Sequence, residues 1–170
     1  MELPNPEILL SEITTKTSAL IRPDTAIVGI HSGGVWIMER ILASLPNAIP
    51  YGTLDAALYR DDFAQRGLKQ TPQAANIPFD VQDKHIILID DIFYTGRTTR
   101  AAINELFDFG RPASITLAVL INRGGAQLPI QPQIIGATIP LTPTQYLQLS
   151  HTKEGKLNLA LDHYKDADHV

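Results

Sequence analysis

The chain contains no cysteine, so disulfide bridges and thiolate chemistry are excluded. No apolar run approaches the roughly 20 residues that cross a bilayer as a helix. The opening segment, Met1-Glu2-Leu3-Pro4-Asn5-Pro6, lacks the basic and apolar regions of a secretory signal. These absences suit a cytoplasmic protein. An excess of positive charge is missing too. The net charge of −4 argues against wholesale coating of nucleic acid, though it leaves room for a local basic patch. The five histidines, His31, His85, His151, His163 and His169, show no metal-site spacing, and His163 and His169 read as part of a solvated tail. Two common nucleotide fingerprints, G-x-x-x-x-G-K-[ST] and G-x-G-x-x-G, do not occur. Nor is there an internal repeat, a low-complexity tract or an interdomain linker.

What is present is an ordinary globular composition, 44% hydrophobic and 19% charged over 170 residues, which suits one domain over 1–170. The chain is organised around Ile86-Ile87-Leu88-Ile89-Asp90-Asp91-Ile92-Phe93-Tyr94-Thr95-Gly96-Arg97-Thr98. Four consecutive aliphatic residues read as a strand buried on both faces, as in a parallel sheet. The run ends in two adjacent carboxylates. A turn with one glycine follows, and helical periodicity then begins at Arg97, with Ala101, Ala102, Leu106 and Phe109. A helix N-terminus presents free N–H groups and a positive dipole end, which makes it a natural phosphate cradle. Gly96 permits close backbone approach, and the hydroxyls of Thr95, Thr98 and Thr99 add donors. Asp90 and Asp91 can accept from hydroxyls such as a ribose diol. An isolated Asp-Asp pair usually only caps the next helix; the Thr-Gly-x-Thr turn after an aliphatic strand weakens that reading.

In chain order, residues 5–21 read as an amphipathic helix with Asn5 as N-cap and Pro6 in its first turn. Ala26–Ile30 is a buried strand. His31-Ser32-Gly33-Gly34 then leads into a helix over Val35–Leu45, a second strand–turn–helix unit whose backbone can face an anion or can serve as a plain glycine turn. Tyr51–Tyr59 alternates as a strand. The polar stretch from Arg60 to Pro78 is too long and too charged for a tight hairpin, and reads either as a functional loop or as a solvated excursion. The central strand spans Ile86–Asp90 and its helix Arg97–Phe109. Ser114–Ile121 is another buried strand, from whose C-terminal edge Asn122-Arg123-Gly124-Gly125 departs, where open α/β sheets place ligands. Gln133–Gly136 is a short strand. Gln145–Leu149 and Leu157–Leu161 form a hairpin. The fold class is therefore α/β, with a mainly parallel twisted sheet flanked by helices, an N-terminal helix within 1–22 and a C-terminal hairpin and tail over 141–170.

The central stretch resembles the phosphoribosyl-pyrophosphate (PRPP) motif of type I phosphoribosyltransferases. Five blocks occur in order: Leu58-Tyr59-Arg60-Asp61-Asp62-Phe63, Asp91 to Thr98, Phe109-Gly110-Arg111-Pro112-Ala113-Ser114, Asn122-Arg123-Gly124 and Leu128-Pro129-Ile130. Together they resemble the bifunctional pyrimidine-operon attenuator / uracil phosphoribosyltransferase family over most of residues 25–140. The resemblance implies a type I phosphoribosyltransferase fold with a small hood. It implies the conversion of uracil and PRPP to UMP and pyrophosphate, with Mg2+ held mainly by pyrophosphate and ribose oxygens and with Asp90 and Asp91 holding the ribose hydroxyls directly or through the metal, and assembly as a dimer or tetramer.

In that reading Asp90 and Asp91 are the catalytic acids, and Tyr94, Thr95, Gly96, Arg97 and Thr98 wrap the 5′-phosphate. Ser32, Gly33 and Gly34 form the pyrophosphate loop. Tyr59, Arg60, Asp61, Asp62, Arg66 and Lys69 belong to a loop that closes over PRPP. Ile121, Asn122 and Arg123 are base-binding candidates by position. The family's commonest pyrophosphate loop carries a basic residue followed by Thr-Arg-Gly, and His31-Ser32-Gly33-Gly34 lacks that arginine. Either the glycine is a loss that Gly33→Arg repairs, or Arg60, Arg66 or Lys69 supply the charge. Attenuators of this family bind messenger RNA through basic residues on the N-terminal helix and beside the Asp-Arg-Gly segment. Here that helix has only Lys16 among its central residues, and Gly125, Ala126 and Gln127 follow Asn122-Arg123-Gly124. RNA is therefore disfavoured as a partner relative to catalysis or nucleotide sensing.

Overall fold

Uninterrupted aliphatic runs decide the architecture. The computed structural model describes residues 2–56 and 73–164. Its centre is a five-stranded parallel sheet in the order β2-β1-β3-β4-β5. The strands are β1 (Thr25–Ile30), β2 (Tyr51–Leu54), β3 (His85–Phe93), β4 (Ser114–Asn122) and β5 (Ile134–Thr138). Every residue of β1 is buried, as expected where helices cover both faces of a parallel sheet. Along β3, Ile87 and Ile89 join the core cluster under the helices α1 (Pro6–Ser18) and α2 (Gly33–Ser44). Ile86 and Leu88 join the cluster under α3 (Arg97–Asp108). This is the period-2 alternation of a strand with two buried faces.

Several elements reach further than their hydrophobic pattern predicts, β3 and α2 among them. β3 continues through both acids to Phe93, with Asp90 opposite Val119 and Ile92 opposite Ile121. Asp91 thus lies inside the strand with Asp90 rather than in the turn after it. α2 begins at Gly33 instead of Val35, which makes the glycines its first turn. β2 stops at Leu54, well short of Tyr59. α1 closes at Ser18, earlier than residue 21, and the Asn5 side chain accepts from Glu7 N at 2.9 Å. His163, expected in a solvated tail, ends the second strand of the hairpin.

Both sheet edges are covered. β2 is bridged by the returning chain, with Thr53 N donating to Asn76 O at 2.8 Å and Asn76 N to Thr53 O at 2.9 Å. At β5, Lys16 Nζ donates to Ile135 O at 3.0 Å, one of the ways a lysine blunts an edge strand. The C-terminal hairpin pairs β6 (Gln145–His151) with β7 (Leu157–His163) in antiparallel register. Its inward leucines, Leu147, Leu149, Leu157 and Leu159, enter the α1–α2 cluster.

Glu7 fastens three elements together. Its carboxylate receives Arg40 Nη2 at 2.6 Å and Nη1 at 3.1 Å, and its Oε1 also receives Leu157 N from the hairpin at 2.7 Å. Arg40 reaches on to Gly155 O at 3.0 Å. The Arg40 hydrogen bond is the main cause holding the Glu7 carboxyl below the usual carboxylate range. A depressed pKa contributes stability above the unfolded value, and that contribution is lost as pH falls through the folded value. The two side chains are 41% and 32% exposed, so the contribution is about 1 kcal/mol at most. Glu7→Gln is therefore expected to lower unfolding free energy by about 1 kcal/mol or less at pH 7. That gap begins to narrow as pH falls past the ordinary glutamate pKa of about 4.3 and closes only below the lowered folded value. Urea titrations of both proteins over a pH series descending from pH 7 check it.

Candidate active site

In the observed strand order the chain runs outward from β1 to β2 and then returns to the other side of β1 as β3. The topology therefore switches direction between β1 and β3, and open α/β sheets place ligands outside the carboxyl ends of strands at such a point. Two turns meet there. One is His31 to Gly34, leaving β1 for α2; the other is Tyr94 to Thr98, leaving β3 for α3.

The first turn is nearly free of side-chain bulk. The Ser32 N-cap makes no side-chain cap bond, and α2 has no acidic residue in its first turn. Its N-terminal amides are served by neither of the usual intrahelical devices. The His31–Ser32 peptide is cis. Gly34 lies so close to β3 that an added Cβ would overlap Ile89 O and stand 3.1 Å from Asp90 Cα. At Gly33 an added Cβ would stand 2.6 Å from Asp91 Cγ and 2.7 Å from Asp91 Cβ. The loop backbone and the acid pair are thus in direct contact. There is no room at position 33 for an arginine while Asp91 keeps its place, which counts against Gly33→Arg as a repair.

Asp90 and Asp91 are 3% and 5% exposed. Each carboxylate is held by the amide that follows it: Asp91 N donates to Asp90 Oδ1 at 2.9 Å, and Ile92 N to Asp91 Oδ1 at 2.8 Å. Buried carboxylates need such donors.

The second turn is shaped by Gly96, the N-cap of α3, whose φ of 93° is left-handed, a conformation that favours glycine. Thr95 is buried, and its Oγ1 accepts from Arg97 N at 3.3 Å. A neighbouring segment backs this turn: Gln127 N and Leu128 N donate to Thr95 O at 2.9 and 3.3 Å, and Arg97 Nη1 donates to Gln127 Oε1.

Of the base-binding candidates, Ile121 is wholly buried in the core. Asn122 Oδ1 accepts from Gly124 N at 3.0 Å. Arg123 lies face-on over the Tyr94 ring, its guanidinium carbon 3.7 Å from the ring centroid. Its amide donates to Phe93 O at 3.0 Å. Arg123 is 6% exposed, its Nη2 reaches Thr142 O at 3.4 Å, and Nε has no hydrogen-bond partner. A buried guanidinium with a donor to spare is costly unless a π face or a ligand compensates it. The Tyr94 ring also abuts Gly125, where an added Cβ would stand 2.8 Å from Tyr94 Cε2. Reading the sequence alone misses this ring clamp, because it joins two loops about thirty residues apart.

At the edge of β2, Asp55 Oδ2 accepts from Gln73 N at 2.5 Å. Glu105 on α3 has its carboxyl pushed up, first by burial and then by the charges of Asp55 and Asp108. Tyr59, Arg60, Asp61, Asp62, Arg66 and Lys69, expected in the closing loop, lie outside the described residues.

Residues 5–144 match the phosphoribosyl transferase domain family. The chain is 44% identical to the bifunctional protein PyrR of Pseudomonas syringae pv. tomato, over 88% of this chain and 91% of that one. It is 50% identical to the bifunctional protein PyrR of Nitrosococcus oceani, over 76% and 74%. Among solved structures, a hypoxanthine-guanine phosphoribosyltransferase from Bacillus anthracis superposes with a TM-score of 0.64 at 14% identity, covering 82% of this chain and 84% of that one. A purine phosphoribosyltransferase from Pyrococcus horikoshii gives 0.59 at 23% identity, over 81% and 87%. At such identities these structures speak for the fold, a type I phosphoribosyltransferase core. The chain belongs to the phosphoribosyltransferase domain family and, within it, to the bifunctional pyrimidine-operon attenuator / uracil phosphoribosyltransferase family.

Proposed function

We propose that the protein transfers the phosphoribosyl group of PRPP to uracil, releasing pyrophosphate and forming UMP. The observation that carries this reading is the meeting of two turns at the switch point, with a buried acid pair between them. The α2 turn offers backbone amides and a helix dipole to the pyrophosphate, and the α3 turn offers Gly96, Thr95 and Thr98 to the 5′-phosphate. As the bond from ribose C1 to pyrophosphate breaks, positive charge grows on the ring and negative charge on the leaving group. Asp90 and Asp91 hold the ribose hydroxyls and oppose the first charge; the α2 amides oppose the second. The new bond joins C1 to a uracil ring nitrogen, which gives up its proton to the departing pyrophosphate. Arg123, stacked on Tyr94, offers its guanidinium to a carbonyl of the base.

Among the described residues no group of three or more His, Cys, Asp or Glu could hold a metal ion. Two carboxylates beside an oxygen-rich substrate still suit Mg2+, which is commonly bound by one or two carboxylates plus substrate phosphates. Asp90 and Asp91 would hold it, and when bound it neutralises pyrophosphate charge.

The relatives are named bifunctional, and the second role proposed here is nucleotide sensing in pyrimidine gene control without tight RNA contact. Lys16, the only basic residue of α1, is engaged at the β5 edge. Gln127 is engaged with Arg97, and Gly125 is packed against Tyr94. Little is left on these two segments to neutralise phosphates.

Three outcomes are expected. Asp90→Asn with Asp91→Asn keeps an oxygen for each following amide, so the circular-dichroism spectrum and melting temperature stay near wild type. UMP formation from PRPP falls by at least about 10²-fold, and wild-type turnover in that variant contradicts the assignment. Arg123→Met keeps bulk and removes the donor, and kcat/KM for uracil drops about tenfold or more, the scale of a charged hydrogen bond. Filter binding at physiological salt to the protein's own pyrimidine-operon leader shows weak, unselective retention that UMP does not strengthen. Tight, UMP-enhanced binding contradicts the sensing role.

A further inference from the structure

Gly33 stands where the resembled family carries its loop arginine, yet its backbone does not require glycine. It is the first residue of α2 and is not among the positive-φ positions, and alanine is the better helix former. Space is what excludes a side chain there. A Cβ on Gly33 would collide with Oδ2, Cγ and Cβ of Asp91. Asp91 Oδ1 is turned to Ile92 N, while Oδ2 is the Asp91 atom closest to the Gly33 Cβ position. The next contact is tighter still in kind, since at Gly34 the obstacle is the Ile89 backbone. The first turn of α2 is therefore packed directly against the β3 backbone at Gly34, one residue beyond the Gly33–Asp91 contact.

We infer that Gly33 is a positioning residue for Asp91: its missing side chain is a slot that seats the Asp91 carboxylate against the N-terminal turn of α2. Two consequences follow. The carboxylate is fixed from both sides, by its own strand and by the helix, before substrate arrives, which favours a productive geometry. The helix dipole draws it to the same turn that the pyrophosphate approaches, so the acid and the leaving-group cradle are set at a fixed separation. The arginine is not merely lost; the position has been given to the acid. This inference rests on the reading of Asp91 as an acid that holds the ribose.

The test is a double-mutant cycle on the full chain, with Gly33→Ala and Asp91→Asn singly and together. Alanine displaces the carboxylate while leaving the α2 amides in place. The single Gly33→Ala variant is expected to lose about tenfold to a hundredfold in kcat, with the KM for PRPP changed by less than about threefold, because the amide cradle is kept. In the Asp91→Asn background the same substitution should cost less than about twofold more, because residues acting through one another are non-additive. A Gly33→Ala enzyme as fast as wild type, or losses that multiply in the double variant, overturns the inference.

Crystal structures of wild type and Gly33→Ala supply a readout independent of turnover. Displacement of the Asp91 carboxylate supports the inference, and an unmoved carboxylate overturns it. Should wild type convert no uracil, the functional reading falls while the structures still decide the seating. If Gly33→Ala does not fold, Asp91→Gly, which removes all three obstructing atoms, should restore folding to the double variant; failure to do so overturns the inference as well.

Discussion

The close approach of the first turn of α2 to the end of β3 is the contact on which the rest of the site depends. Close packing in the interior leaves no slack there. Gly29 in β1 lets the helix begin its approach, since a Cβ there would stand 3.0 Å from Val35 Cα. Gly34 lets the helix backbone lie against Ile89 and Asp90, and Gly33 admits Asp91. Those three glycines let the start of α2 lie against the ends of β1 and β3 at the switch point, beside the buried acid pair. A bulkier loop would open the gap, admit water and leave the two turns as unrelated surface features.

Burying charge in a sheet demands compensation. The two aspartates receive the backbone amides that follow them, and Asp91 also faces a helix N-terminus. Arg123 is compensated differently, by the face of Tyr94 and a single carbonyl, which leaves donor capacity unused in a nearly buried guanidinium. Glu7 and Arg40 are half-exposed and tie the hairpin to the helices on one face, away from these demands. Charged groups near the surface fasten elements here, whereas the buried charges among the described residues, Asp90, Asp91 and Arg123, stand beside the two turns.

Much of the fold was legible in the sequence because the cores of β1, β3 and β4 are continuous aliphatic runs and the hairpin alternates cleanly. The acid pair and the Thr-Gly-x-Thr turn were legible for the same reason: strand, acids, glycine and helix start lie within one short stretch. The boundaries were less so. β3 runs on through Asp90 and Asp91 because Val119 and Ile121 of β4 continue to pair with it, a tertiary effect that local hydrophobicity cannot show. The lateral order of the strands, and hence the switch point, is likewise set by packing. The Tyr94–Arg123 clamp and the Gly33–Asp91 contact join segments distant in sequence. From sequence, Gly33 reads as an absence; in three dimensions it is a space that is filled.

Transfer of a phosphoribosyl group from PRPP to one pyrimidine base, the activity proposed for this site, is decided by PRPP-dependent nucleotide formation measured side by side with uracil, adenine, guanine, hypoxanthine and xanthine, with Mg2+ present. UMP is expected from uracil, and no product from the four purines. Turnover of a purine in preference to uracil, or pyrophosphate release with none of the five, would contradict it.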